Sequence, residues 1–128
     1  MRCSAATGIG FGGGIERLVI NLKRDGVQVP PDKPLALFIA HMAPAAERMA
    51  LQIARDVRLA GLTAVVGPAG RSLKAQLRQA NTRGARYAAI IGEREAAAGE
   101  VTLRDLASHE ERQVPAGAVV QALVAPAA

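Results

Sequence analysis

The stretch LALFIA, from Leu35 to Ala40, contains six apolar residues in a row. An unbroken apolar run of this length is typical of a strand that is covered on both faces, as strands of parallel sheets are. Two further runs of the same kind follow, TAVVG at residues 63–67 and YAAIIG at residues 87–92. The sequence therefore predicts three strands that share one sheet, the first of them covered on both faces.

A helical pattern separates each pair of these runs. Between the first two runs, apolar residues recur every three or four positions, and the pattern ends at Gly61. These residues are Met42, Ala46, Met49, Ala50, Ile53, Val57 and Ala60. Between the last two runs, Ser72 is suited to cap a helix that ends near Gly84. Its apolar residues are Leu73, Leu77 and Ala80.

Two alternating segments and a helix follow the third run. EVTLRDL at residues 100–106 alternates like a strand with one wetter face, and ERQVP at residues 111–115 is placed to pair with it as a hairpin. A final helix is predicted from about Ala116 to Val124. Because strand–helix–strand crossovers are right-handed and join parallel strands, residues 34–128 are predicted to form an α/β domain. We expect three layers, α/β/α, around a mixed sheet of about five strands.

The first part of the chain has a different pattern. In GIGFGGGIERLV, glycine occupies every second position from Gly8 to Gly14. In a strand these positions share one face and leave it bare, which suits a flat ligand such as an adenine ring. A helical pattern follows, and Arg17 in its first turn is suited to bind a phosphate. We therefore predict a strand and a helix within residues 1–24, and a proline-rich linker over residues 25–33.

Two alternatives exist for the glycine-rich stretch. Gly8, Gly10 and Gly13 satisfy the dinucleotide fingerprint G-x-G-x-x-G, which needs a buried strand before it and an acidic residue at the end of the next strand. Only MRCSAAT precedes the glycines, and Asp32 lies in the predicted linker, so the context of a fingerprint is missing. The other alternative is a flexible glycine tail without a ligand. We favour the strand and helix over both.

These motifs resemble a known family. GIGFGGGIERLV is similar to motif 3 of the class II aminoacyl-tRNA synthetases, with alternating glycines, Glu-Arg and then an apolar helix. GRSLKAQLRQANTRGARYAAIIGERE and GEVTLRDL resemble the C-terminal part of the histidyl-tRNA synthetases. The resemblance covers nearly the whole chain in the expected order. It implies that residues 34–128 form the anticodon-binding domain shared by the histidyl, threonyl, prolyl and glycyl enzymes.

The resemblance also implies roles for residues in the first part of the chain. Gly10, Gly12 and Gly14 correspond to the adenine site, and Arg17 corresponds to the motif 3 arginine that binds the ATP phosphates. Motifs 1 and 2 and the histidine-recognition segments of the family are absent from this sequence. We therefore expect no complete set of catalytic residues and no cofactor in this chain alone. The implied full-length ligase uses ATP and Mg to aminoacylate its partner, tRNA(His).

A basic stripe is predicted on the second helix. Arg71, Lys74 and Arg78 are spaced by three and four residues, opposite the apolar residues of the same helix. Such a stripe can hold RNA phosphates, and the alternative is an ordinary solvated helix face. Polar residues around it are predicted to add donors on the exposed side. They are Gln76, Gln79, Asn81 and Arg83.

Two residues are candidates for reading anticodon bases. Glu95 follows the third strand, at the edge where open α/β sheets usually bind ligands, and Arg104 projects from the next strand. A carboxylate accepts hydrogen bonds from base amino groups, and an arginine donates two to a guanine edge. In the threonyl enzymes that the chain resembles, residues at these motif positions contact anticodon bases. The alternative is a plain surface ion pair.

Composition excludes several classes of protein. The chain of 128 residues carries a formal net charge of +5 and a single cysteine, so it has no internal disulfide. No apolar run approaches the roughly 20 residues of a membrane helix, and we expect a soluble cytoplasmic protein. His41 and His109 have no metal-ligand spacing with cysteine or carboxylate residues, so we expect no metal site.

A second class of function is compatible with the same sequence. Synthetase-like proteins without aminoacylation activity act as regulators, such as the regulatory subunit of ATP phosphoribosyltransferase. An exposed apolar surface around Ile15 to Leu22 would favour a homodimer. A dimerisation or regulatory module is therefore our alternative to an anticodon-binding part of a ligase.

Overall fold

A computed structural model of the chain describes residues 7–125. These residues divide into two units, one that extends to Asp32 and one that starts at Lys33. The predicted ranges 1–24 and 34–128 also include residues 1–6 and 126–128, which lie outside the described residues. None of the helices between residues 7 and 125 has the length and hydropathy that a membrane crossing needs.

The first unit contains one helix, α1, Ile15–Arg24. Glu16 lies in its first turn, and Lys23 and Arg24 lie in its last turn, so the charges at both ends complement the helix dipole. The predicted helix is therefore present. The strand predicted over the alternating glycines is not, because residues 7–14 have no regular secondary structure. A strand is held by hydrogen bonds to a neighbouring strand, and in the described part of this unit no strand pairs with the glycines.

The second unit alternates strands and helices around one sheet. Its elements are β1 Leu37–His41, α2 Pro44–Leu59, β2 Ala64–Val66, α3 Leu73–Thr82, β3 Tyr87–Ile91, α4 Glu93–Ala98, β4 Glu100–Asp105, β5 Glu111–Pro115, a 3-10 turn Ala116–Ala118 and α5 Val119–Val124. The five strands lie in the order β2-β1-β3-β4-β5. The first three are parallel, and β4 and β5 are antiparallel to their neighbours. The predicted mixed sheet is confirmed.

Helices cover the two sides of this sheet unequally. On one side, called the α2 side, Leu37, Ile39 and Leu103 pack in one buried cluster with residues of α2 and α5. On the other, called the α3 side, Phe38 and Ala40 of β1 pack with Ala80 of α3 in a smaller cluster. The predicted three-layer α/β/α architecture is therefore confirmed, with its larger core on the α2 side.

The strand register assigns the remaining side chains to these two sides. Phe38 of β1 pairs with Ala88 of β3, which pairs with Arg104 of β4, which pairs with Glu111 of β5. Paired residues of neighbouring strands point to the same side of a sheet. Since Phe38 packs with α3 residues, Arg104 and Glu111 also lie on the α3 side.

One helix was not predicted from the sequence. The helix α4 has only six residues, EREAAA, between the third strand and Gly99. Gly99 ends it in the left-handed conformation, with a φ of 70°, which glycine adopts without steric cost. A helix of this length is too short to show a repeating apolar pattern. It places Glu95 within a helix rather than in a loop.

Candidate nucleic-acid interface

The α3 side of β4 and β5 carries a polar surface. Thr102 pairs with Gln113, and Arg104 pairs with Glu111, so the four side chains share one side of the hairpin. We call these four residues the open sheet face, because each is half-buried or exposed. Three apolar residues on the opposite side of the same two strands are buried in the larger core. They are Val101, Leu103 and Val114.

Arg104 is held from two directions on the open sheet face. Its Nη1 lies 3.4 Å from Oε1 of Glu111, and its Nη2 lies 3.5 Å from Nδ1 of His109. Its Nε is buried without a hydrogen-bond partner, and it is the one such side-chain atom among residues 7–125. The side chain as a whole is 30% exposed, so a cationic guanidinium faces solvent next to the strands.

The loop between β4 and β5 brings His109 back to Arg104. Asp105 accepts hydrogen bonds from the backbone N–H groups of Ala107, at 2.8 Å, and Ser108, at 3.2 Å. These two bonds, first that from Ala107, lower the pKa of the Asp105 carboxyl below its usual value. His109 adopts a left-handed φ of 63°, which is uncommon for a residue with a side chain, and its N–H donates to the Asp105 carbonyl at 2.9 Å.

The predicted basic residues lie on and before α3. Lys74 and Arg78 are exposed on the helix, whereas Arg71 is exposed in the loop, because Ser72 is the N-cap and its hydroxyl accepts from the Ala75 N–H at 3.3 Å. Arg71 and Arg78 line one shallow depression, and Lys74 and Arg78 line another. None of the ion pairs found within residues 7–125 neutralises these three cations.

The prediction that Gln76 lies on the exposed side of this helix is wrong. Gln76 is fully buried, and its Nε2 donates to the carbonyls of His41 and Arg71, each at 2.9 Å. Its Oε1 accepts from the backbone N–H of His41 at 3.2 Å. These bonds tie the start of α3 to the end of β1. The burial of Gln76 was predictable from the sequence, because residue 76 is three residues from Leu73 and four from Ala80 and therefore lies on the apolar side of the helix.

Gly67 leaves the space that Gln76 occupies. A Cβ added at Gly67 would collide with Oε1 of Gln76 and would approach Cε1 of Phe38 to 3.1 Å. The Gly67 carbonyl also lies 3.0 Å from Nε2 of His41. The loop before α3 is therefore fixed closely against β1, and this position tolerates no side chain without local rearrangement.

Glu95 lies apart from Arg104. Its Oε2 accepts from the backbone N–H of Gly92 at 3.1 Å, so it caps its own helix. Gly92 follows the end of β3, whereas Arg104 pairs with Ala88 near the start of that strand. The four residue steps from Ala88 to Gly92 span about 13 Å at about 3.3 Å per residue. The two predicted base readers are therefore not ion-paired with each other, and Arg104 pairs with Glu111 instead.

The residues predicted to contact ATP do not enclose a nucleotide. A Cβ added at Gly10 or Gly12 meets no atom within 4 Å, and one added at Gly14 meets only the Cβ of Arg17, at 3.7 Å. Arg17 itself is exposed. The described residues therefore show no fit to ATP by themselves. A metal-binding group of three or more His, Cys, Asp or Glu residues is also not found between residues 7 and 125.

Comparison with known proteins identifies the family. Residues 19–125 match the model of the anticodon binding domain. The chain is 42% identical over 107 residues to a histidine–tRNA ligase of Dehalococcoides mccartyi, covering 84% of this chain and 26% of that protein. It is 43% identical over 110 residues to a histidine–tRNA ligase of Rubrobacter xylanophilus, covering 86% of this chain and 25% of that protein.

A solved structure shows the same fold. The histidyl-tRNA synthetase of S. aureus, in its apo form, matches with a TM-score of 0.66 and 28% sequence identity, over 85% of this chain and 28% of that one. The chain thus spans about a quarter of the length of the curated relatives that it matches. On its sequence, its five-stranded sheet and this likeness, the chain belongs to the anticodon-binding domain family and is related to the histidine–tRNA ligases.

Proposed function

We propose that this chain is the anticodon-recognition part of a histidine–tRNA ligase and that its RNA partner is tRNA(His). One observation carries the proposal. The register places Arg104 on the same side of the sheet as α3, whose Lys74 and Arg78 are exposed and free of ion pairs among the described residues. The arginine proposed to read a base and the cations proposed to bind phosphates therefore lie on the same side of the sheet.

The two kinds of contact have separate roles in this proposal. Phosphate contacts with Lys74, Arg78 and the loop residue Arg71 orient the RNA without reading its sequence. Bases of an anticodon loop are unstacked, so their edges are open to hydrogen bonds from Arg104 and Glu95. Since Glu95 binds the backbone N–H of Gly92 and Arg104 pairs with Ala88, about 13 Å away along β3, we expect the two side chains to contact different nucleotides.

Aminoacylation is proposed only for a longer ligase. In such a ligase, Gly10, Gly12, Gly14 and Arg17 contribute to a site that binds ATP with magnesium. The described residues alone do not enclose that site, so we expect no ATP binding by this chain in calorimetry with magnesium present. Saturable ATP binding that Arg17→Ala abolishes would contradict this expectation.

Binding to RNA hairpins tests the proposed function directly. The probes are stem-loops with the histidine anticodon and with each anticodon base replaced in turn, titrated at two salt concentrations. We expect tighter binding of the histidine anticodon at both salt concentrations, with a loss of affinity at the higher one. Equal affinity for all stem-loops would leave only a general basic surface and would overturn the proposal.

A dimerisation or regulatory module is the second candidate function. It is favoured by the exposed apolar side chains of α1, since Ile15 is 74% and Leu18 is 59% exposed. We expect light scattering over a range of concentrations to show dimers that Leu18→Glu dissociates. A monomer at all concentrations would contradict this candidate without affecting the first.

A further inference from the structure

Glu111 is an unexpected residue on a surface that binds RNA. Its carboxylate is half exposed on the open sheet face, in direct register with Arg104. A negative charge at this place repels phosphates and reduces general affinity for RNA of any sequence. The same carboxylate lies 3.4 Å from Nη1 of Arg104. The charge of Glu111 therefore weakens RNA binding in general, whereas its contact with Arg104 affects only that arginine.

The contacts of Arg104 constrain its guanidinium on three sides. Glu111 contacts Nη1, the imidazole of His109 contacts Nη2, and Nε is buried against the protein. Five N–H groups are available on a guanidinium, so each terminal nitrogen keeps one N–H that these contacts do not use. Two N–H groups on neighbouring nitrogens are what a two-bond contact with a guanine edge needs.

We propose that Glu111 and His109 are positioning residues that orient Arg104 for reading one anticodon base. On this basis both residues raise the selectivity among anticodons, and the carboxylate of Glu111 also lowers general RNA affinity. The inference rests on the proposed anticodon binding, which it deepens by naming the residues that set selectivity at Arg104. Neither residue needs to touch the RNA.

The alternative role for Glu111 is that of an ordinary surface ion pair. Exposed pairs of this kind contribute little free energy, so they do not fix the position of either side chain. In that case, removing the carboxylate changes only the charge of the surface. The positioning role predicts a reduced preference for the native anticodon over altered ones, whereas an ordinary ion pair predicts an unchanged preference, so measuring the preference separates the two roles.

The test compares Glu111→Gln in two backgrounds, wild type and Arg104→Ala. The probes are the stem-loops with the histidine anticodon and with its bases replaced. In the wild-type background, we expect Glu111→Gln to reduce the preference for the native anticodon about fivefold, the size of one hydrogen-bonded contact. Affinity for the altered stem-loops should stay equal or rise. In the Arg104→Ala background, we expect no further effect on the preference.

Glu110→Gln is the matched control. Glu110 is the neighbouring acidic residue, is exposed in the loop, and takes part in none of the ion pairs found among the described residues. Glu110→Gln changes the net charge by the same amount as Glu111→Gln. We expect this control to change the affinity for all stem-loops by the same factor.

A second measurement needs no RNA. In the free protein, the buried Nε–H of Arg104 should give a distinct and slowly exchanging NMR signal, assigned by its loss in Arg104→Ala. We expect Glu111→Gln and His109→Ala to speed its exchange and Glu110→Gln to leave it unchanged.

The outcomes distinguish the inference from the proposed function. If the wild type prefers the native anticodon, Arg104→Ala removes the preference and Glu111→Gln preserves it, then the positioning role is wrong and anticodon reading stands. If Glu111→Gln reduces the preference for the native anticodon by the same factor in the wild type and in Arg104→Ala, the positioning role is also wrong. If the wild type shows no preference at all, the proposed function fails and the inference fails with it.

Discussion

The two sides of the β4–β5 hairpin differ in what covers them. On the α2 side, Val101 and Leu103 are buried in the larger core. On the α3 side, Thr102 and Arg104 alternate with them and remain partly exposed, because α3 packs on β1 rather than on β4. The same two strands thus supply stability with one set of side chains and a candidate RNA surface with the other. Because successive side chains of a strand point to opposite sides of the sheet, one strand can supply both the core and the candidate RNA surface.

The largest expected effect is on the α2 side. Leu103→Ala removes a side chain that is 1% exposed, so it should lower the free energy of unfolding by about 3 kcal/mol. Thr102→Ala, one residue earlier and on the open sheet face, should change it by less than about 0.5 kcal/mol. Urea unfolding followed by circular dichroism measures both. Similar losses of unfolding free energy for the two variants would show that both sides of the hairpin contribute equally to stability.

The next largest effect concerns the junction between α3 and β1. Gln76→Met keeps the size of the side chain but removes its three hydrogen bonds to His41 and Arg71. Because the His41 groups are left without these partners in a buried place, we expect a loss of about 2 kcal/mol in unfolding free energy. Gln79→Met on the same helix is the control and should have little effect. A Gln76→Met protein as stable as the wild type would contradict the role assigned to this residue.

A smaller effect is expected from the cations that we propose bind phosphates. Arg78→Ala should weaken the binding of all stem-loops by the same factor and reduce the slope of log K against log salt by about 0.7. It should leave the preference for the native anticodon unchanged, in contrast to changes at Arg104. Titrations at four or more salt concentrations measure both quantities. A change in preference with an unchanged slope would reverse the roles proposed for the two residues.

The smallest effect is a pH dependence from the loop between β4 and β5. The pKa of Asp105 is lowered in the folded chain, chiefly by its hydrogen bonds from Ala107 and Ser108. Its stabilising contribution is therefore present above the unfolded pKa, near 3.9, and is lost as the pH falls through the lower folded value. Asp105→Asn should flatten the pH dependence of unfolding below pH 4. If Asp105→Asn leaves the pH dependence of unfolding unchanged, the ionised carboxylate of Asp105 does not stabilise the loop.

Much of the fold was predictable because its signals are local. The apolar runs, the helical spacing and the glycines at helix ends predicted the strands, the order of elements and the mixed sheet. The short helix α4 was missed because six residues carry no periodic pattern. The strand over the glycines was predicted wrongly because alternation describes one strand, and a strand forms only beside another.

The candidate site was predictable only in its parts. Resemblance and spacing singled out Arg104, Glu95 and the basic residues of α3, and the structure adds where each lies. The polarity of Gln76 predicts an exposed side chain, whereas its place in the apolar stripe of α3 indicates the burial that the structure shows. Polar residues at such places are buried only when partners on other elements satisfy them, and those partners are distant in sequence.

By itself, the sequence determined which segments become strands and which side chains of a strand share a side, since these follow from backbone geometry and local hydrophobic pattern. The tertiary structure alone decided that Phe38, Ala88, Arg104 and Glu111 form one row across four strands. That row depends on register, and register is set jointly by two crossover helices, a hairpin loop and the burial of the opposite side. For this reason the partner of Arg104 was found only in the folded chain.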